Sequence, residues 1–118
     1  MLIDTVALSK EYILKDKYYF KRVRRLGKTF STPLFFLNIA PCKDARELKF
    51  GLIVTTKVDK RAVERNRIRR ALSEAVRVRL PKLNRGYHVV IVAKAAAVGK
   101  SYQDFDACFA KLLPKTPL

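Results

Sequence analysis

A chain of 118 residues with 49% apolar side chains, seven Phe and five Tyr among them, has material for one hydrophobic core and too little for two, and is no disordered basic tail. Its 26 Lys and Arg against 10 Asp and Glu give a formal charge of +16, which draws a folded surface towards polyanions, nucleic acid first and an anionic membrane second. No apolar run approaches the roughly 18 residues of a spanning helix, and "MLIDTVALSK" lacks the basic start and apolar core of a signal peptide, so the expectation is a cytoplasmic protein with no membrane partner.

In chain order, the weakly alternating first residues read as an irregular arm or a short strand, with the arm reaching about residue 14. Residues 15–26, "KDKYYFKRVRRL", space Tyr19 or Phe20, Val23 and Leu26 as the buried side of a short helix that Gly27 stops. "PLFFLNIAP", residues 33–41, reads as a strand, and "TFS", residues 29–31, can be extended before it. A turn at "CKDARE" leads to a second strand over residues 48–56, and the two are expected to form an antiparallel pair. A helix over about residues 60–80 would bury Ile68, Ala71, Leu72, Ala75 and Val76 and turn Asn66, Arg67, Arg70, Ser73, Glu74 and Arg77 outward. Pro81 ends it. "YHVVIVAK" is apolar without interruption and suits a central strand, and residues 102–113 form a last helix with Phe105, Cys108, Phe109 and Leu112 inward. The sum is a single α+β domain spanning residues 1–118.

Cys42 and Cys108 stand in unrelated contexts, with neither a CxxC nor a second ligand pair, so reduced structural cysteines are expected and zinc is not. His88 sits in a strand with no visible partner and reads as a packing or surface residue. No carboxylate pair accompanies the basic segments in the pattern of a two-metal nuclease, and glycine-rich phosphate loops are missing.

The chemistry concentrates in "AVERNRIRRALSEAVR", residues 62–77. Glu64 and Glu74 cannot neutralise the nine basic residues between Lys57 and Arg79, and cations are unfavourable in a first helical turn. An anion from outside would relieve both, because phosphate accepts both tines of a guanidinium and exposed helix N–H groups. Asn66 can hold an arginine or a metal-bound water in place; it can meet a metal ion only through such a water. "KYYFKRVRR" interleaves aromatics with arginines, the combination that binds single-stranded nucleic acid. Phe36 and Asn38 share a strand face and are expected to floor an exposed cleft.

These residues, above all "FGLIVTTKVDKRAVERNRIRRALSEAVR", resemble the protein component of bacterial ribonuclease P, over about residues 19–113. Phe20, Val23 and Gly27 match the spacing of that family's first helix. Gly51, Lys57, Ala62, Arg65, Asn66, Arg67, Arg69, Arg70, Glu74 and Arg77 match its central signature. The resemblance implies a compact α/β sandwich on an antiparallel-rich mixed sheet, with a left-handed βαβ crossover where periodicity alone predicts a right-handed one. It further implies a protein cofactor of an endoribonuclease whose RNA subunit performs the chemistry, with Mg2+ held mainly by RNA. The implied partners are the catalytic RNA and precursor tRNA bearing a 5′ leader, with no obligate protein partner.

On that resemblance, Arg65, Asn66, Arg67, Arg69, Arg70 and Arg77 would face RNA phosphates, and Phe20, Arg24, Phe36, Asn38 and Lys57 would line the leader cleft. No protein residue would be catalytic. Thr56, Ser73, His88 and Asn38 depart from the family pattern. The first two stand where basic residues are usual, His88 near a common acidic position, and Asn38 where an aromatic or apolar residue is frequent.

Overall fold

The computed structural model describes residues 8–118. The expected arm therefore lies outside the described residues as far as residue 7, and from Leu8 onward it is replaced by packed chain. A short 3-10 turn at Lys10–Tyr12 leads Ile13 into a parallel bridge with Phe50, and Leu8 and Leu14 are buried. The apolar side chains at 8 and 14 explain this, since leaving them in water forgoes their burial energy.

Two helices begin where a side chain can replace a missing backbone partner. The Asp16 carboxylate accepts the Tyr18 N–H at 2.8 Å at the start of α1 (Lys17–Leu26). Ser101 and Asp104 form a reciprocal capping box at the start of α3 (Tyr102–Leu112). The long central helix, α2 (Ala62–Arg77), has no side-chain cap. It stops three residues short of the expected end, because Pro81 has no N–H to give the Arg77 carbonyl, and Leu80–Lys82 forms a separate 3-10 turn.

Four strands, β1 (Lys28–Ser31), β2 (Phe35–Pro41), β3 (Leu48–Ile53) and β4 (Tyr87–Ala93), form one sheet in the order β1-β2-β4-β3. β2 and β3 are thus not the expected antiparallel pair. β4 lies between them, antiparallel to β2 and parallel to β3. The reason is in β4 itself: Val89, Val90 and Ile91 are fully buried, so neither face of this strand tolerates an edge. α2 carries the chain from β3 back to β4, the crossover that a parallel neighbour requires.

One sheet face packs Phe35, Leu37, Phe50 and Ile91 against Ile68 and Leu72 of α2 and Phe105 and Phe109 of α3. The other receives α1, whose Val23 is buried with Leu14, Ala40 and Val90. Leu26, expected to be buried, is 56% exposed, and Val23 is the residue of α1 that the sheet buries. Gly27 does terminate α1, but with φ −73° it supplies no left-handed turn. Its use is close approach: a Cβ there would stand 2.5 Å from the Val23 carbonyl oxygen and 3.0 Å from the Ile39 nitrogen. No helix among the described residues is long and apolar enough to cross a membrane.

Candidate nucleic-acid interface

The pairing registers set the α1 face of the sheet in rows. Phe36, Val92 and Ile53 form one row; Thr29, Asn38, Val90 and Gly51 the next; Ala40, His88 and Lys49 a third. A ten-residue helix covers the second and third rows and leaves the first half-exposed, an apolar trough at the C-terminal ends of β3 and β4. Phe20 forms its edge, its ring lying so close over Gly51 that a Cβ there would fall 2.3 Å from Cζ.

Arg24 supplies positive charge to this trough. Its guanidinium stands 5.4 Å from the centre of the Phe36 ring, and its Nη1 donates to Asn38 Oδ1 at 3.2 Å. Asn38 is only 4% exposed, with Nδ2 donating to Thr29 Oγ1 at 2.9 Å. The expectation of an exposed Asn38 floor is corrected accordingly. Residues at period two share a face but not a depth, and Asn38 lies beneath Arg24, where it fixes the guanidinium. Phe36 remains half-exposed.

Lys94 was not singled out by sequence, although the period of two from Val90 and Val92 puts it on this face. Its Nζ donates to Ser31 Oγ and the Thr32 carbonyl, both at 2.6 Å, beside the same row. Lys57 is exposed in the turn that follows β3, where its N–H meets Thr55 Oγ1 at 3.3 Å.

The arginines of α2 are more occupied than a charge count implies. Arg65 donates to the carbonyls of Asp59 and Lys60 at 3.0 and 2.8 Å, bracing the loop before its own helix. Arg67 grips Glu64 with two bonds of 2.8 and 2.7 Å and reaches the Lys100 carbonyl at 2.7 Å. Glu64 in turn accepts the Gly99 N–H at 2.9 Å, and the two donors hold its carboxyl at about 2. Arg69 donates to Asn66 Oδ1 at 2.8 Å and to the Val54 carbonyl at 3.3 Å, which ties α2 to the end of the trough. Arg77 pairs with Glu74, whose carboxyl it holds below the usual range.

Two further carboxylates join the account. Asp59 chelates Arg61 and titrates at about 2 for that reason, and Asp106 reaches Arg79 from α3. Relief of the α2 charges thus comes partly from within. Among the described residues, the side chains of Lys57, Lys60 and Arg70 keep no partner, and all three are exposed, the first two before the uncapped start of α2 and Arg70 midway along the helix.

Of the two readings of His88, packing or surface, the structure takes the first: it is buried, and its Nε2 meets Glu47 Oε1, a partner that sequence did not show. With Cys42 these two form the one group of three ligating side chains among the described residues, at the opposite end of the sheet rows from the trough.

The geometry has counterparts. The family model described as Ribonuclease P matches residues 8–116. The chain is 38% identical over 105 residues to the ribonuclease P protein component of Chloroflexus aurantiacus, covering 89% of this chain and 72% of that protein. It is 33% identical over 108 residues to that of Clostridium botulinum, covering 90% and 95%. In fold it is similar to the RNase P protein of Staphylococcus aureus, with a TM-score of 0.81 at 22% identity over 90% of this chain and 95% of that one. The corresponding values for the Thermotoga maritima protein are 0.77, 17%, 88% and 96%.

Proposed function

Because the chain belongs to the ribonuclease P protein family, we propose that it binds the catalytic RNA through the start of α2 and seats the 5′ leader of precursor tRNA along the Phe20, Arg24 and Phe36 trough. At family level the protein is an RNA-binding cofactor in 5′ leader removal, working within a ribonucleoprotein whose RNA performs catalysis. The observation that carries the finer reading is the Thr29, Asn38, Arg24 relay, which holds a guanidinium beside a half-exposed aromatic ring. Unpaired bases can stack on such a surface while the backbone phosphate meets the charge.

The protein's contribution is alignment. A leader held in the trough fixes the scissile phosphate relative to the RNA active site and spares the reaction part of its entropic cost. Lys57, Lys60 and Arg70 offer cations to RNA phosphates, whereas Arg65, Asn66, Arg67 and Arg69 shape the loop and helix that present them. Arg77, tied to Glu74, keeps Nη1 for a phosphate. Mg2+ belongs to the RNA in this reading, with Asn66 meeting it only through water. Precursor tRNA is made in the cytoplasm, and the protein would act there without a membrane or an obligate protein partner.

The test is 5′-end cleavage of precursor tRNA at low magnesium by the purified protein, with and without a bacterial ribonuclease P RNA. Product from the pair, in large excess over RNA alone, is expected. Binding without any gain over several compatible RNAs would instead mark a general RNA-binding protein, and magnesium-dependent product from protein alone a self-contained nuclease.

A further inference from the structure

Cys42 and Glu47 lie on the connection between β2 and β3, and His88 lies 41 residues beyond Glu47, on β4. The connection is pinned across the start of β4: the Cys42 N–H donates to the Gly86 carbonyl at 2.9 Å, and the Gly86 N–H donates to the Glu47 carbonyl at 2.6 Å. One ligand atom from each of the three side chains consequently lies within 4.8 Å of the other two. We infer that this cluster is a binding site for a thiophilic divalent cation, zinc above all, held by the Cys42 thiolate, the His88 imidazole and the Glu47 carboxylate.

Thiolate sulfur, imidazole nitrogen and carboxylate oxygen are each donors that zinc takes, and three of them leave a fourth position open. A pocket of about 240 Å³, lined in part by Tyr18, Tyr19, Arg22 and Lys43, opens onto the same three residues and leaves room for a water or small ligand there. His88 is 3% exposed, yet Nδ1 has no partner among the described residues, so the fold matches only one of its two nitrogens. The matched nitrogen, Nε2, is the one the ion would take, in place of its present contact with Glu47, and Nδ1 would carry the ring proton. The Tyr19 ring stands edge-on to the imidazole at 5.2 Å and closes one side.

Donor softness decides which ion fits. Arg22 and Lys43 line the pocket together with Asp44 and Glu47, so its charges balance and offer a hard cation no excess of carboxylate. A dication on a thiolate and a carboxylate is neutral overall, and the thiolate bond favours zinc over magnesium. Binding sends the Cys42 thiol proton to solvent and replaces the contact between His88 and Glu47 with bonds to the ion. None of this depends on the RNA reading.

Cobalt(II) titration of the full chain in excess magnesium tests the site, using the wild type, Cys42→Ser and Cys108→Ser. A thiolate-to-cobalt charge-transfer absorption saturating at one ion per chain is expected, chased by zinc, retained in Cys108→Ser and lost in Cys42→Ser. Zinc affinity should fall in Cys42→Ser by more than the about 10–100-fold that loss of a supporting group costs. Glu47→Gln should weaken zinc while keeping the absorption. The proposal is overturned if the wild type shows no such absorption, if Cys42→Ser retains it, or if magnesium displaces the cobalt.

Discussion

Two glycines illustrate how differently one methyl group acts at single positions. At Gly27 a Cβ meets backbone, the Val23 carbonyl at 2.5 Å and the Ile39 nitrogen at 3.0 Å, neither of which can yield without moving α1 off β2. At Gly51 it meets the Phe20 ring at 2.3 Å, and a half-exposed side chain can swing away. Overpacking costs about 1–3 kcal/mol, so Gly27→Ala should lie near the top of that range and Gly51→Ala near the bottom, in denaturant melts. Their effects on RNA should be reversed in rank. Gly51→Ala displaces Phe20 and should reduce affinity for leader-bearing tRNA more than for mature tRNA, and equal losses on both would remove Phe20 from the leader trough. Arg70 is the clean probe of phosphate contact, since it has no intramolecular partner among the described residues. Arg70→Ala should leave the melting midpoint unchanged and lower the salt slope of RNA binding by about one contact. An unchanged slope would exclude Arg70 from the RNA interface.

Glu64 adds a polar tie to the packing of α2 on α3, joining Arg67 of its own helix to the Gly99 N–H in the segment leading into α3. Its carboxyl titrates at about 2 in the fold against an ordinary 4.5, so its contribution to stability is whole above about 4.5 and fades as pH falls towards 2. Glu64→Gln should be less stable near neutrality and show a flatter loss of stability between pH 4.5 and 2 in urea melts. Parallel pH profiles for the two proteins would mean that the pair contributes nothing. The spacing of Glu64 and Arg67 on one helix was legible, but a partner 35 residues away was not, because it exists only once α3 has docked. The same limit governs the sheet. An uninterrupted apolar run marked β4 as central, yet nothing local in "FFLN" or "LKFGLI" says that β4 separates them. Period two puts Phe36 and Asn38 on one face, but depth depends on where α1 lies, so the burial of Asn38 is not written in the strand itself. Cys42, Glu47 and His88 converge through topology alone.

The chain carries +16, and its described residues span 36 × 30 × 28 Å, so most like charges are separated by more than the Debye length of about 10 Å at 0.1 M salt. Their mutual repulsion is long-ranged and screened. The favourable pairs are different: Arg61 with Asp59, Arg67 with Glu64, Arg77 with Glu74 and Arg79 with Asp106 lie at 2.7–2.8 Å and lose much less to screening. Salt should therefore stabilise the free protein, by of the order of 1 kcal/mol or roughly 4 °C between low and physiological ionic strength. RNA binding must respond with the opposite sign, because every phosphate contact releases counterions whose release salt opposes. Thermal melts and RNA titrations across one salt series would give two slopes, one rising and one falling. A melting midpoint that fell with salt would show that the ion pairs outweigh the repulsion, and the surplus charge would then be largely neutralised within the fold instead of held ready for RNA.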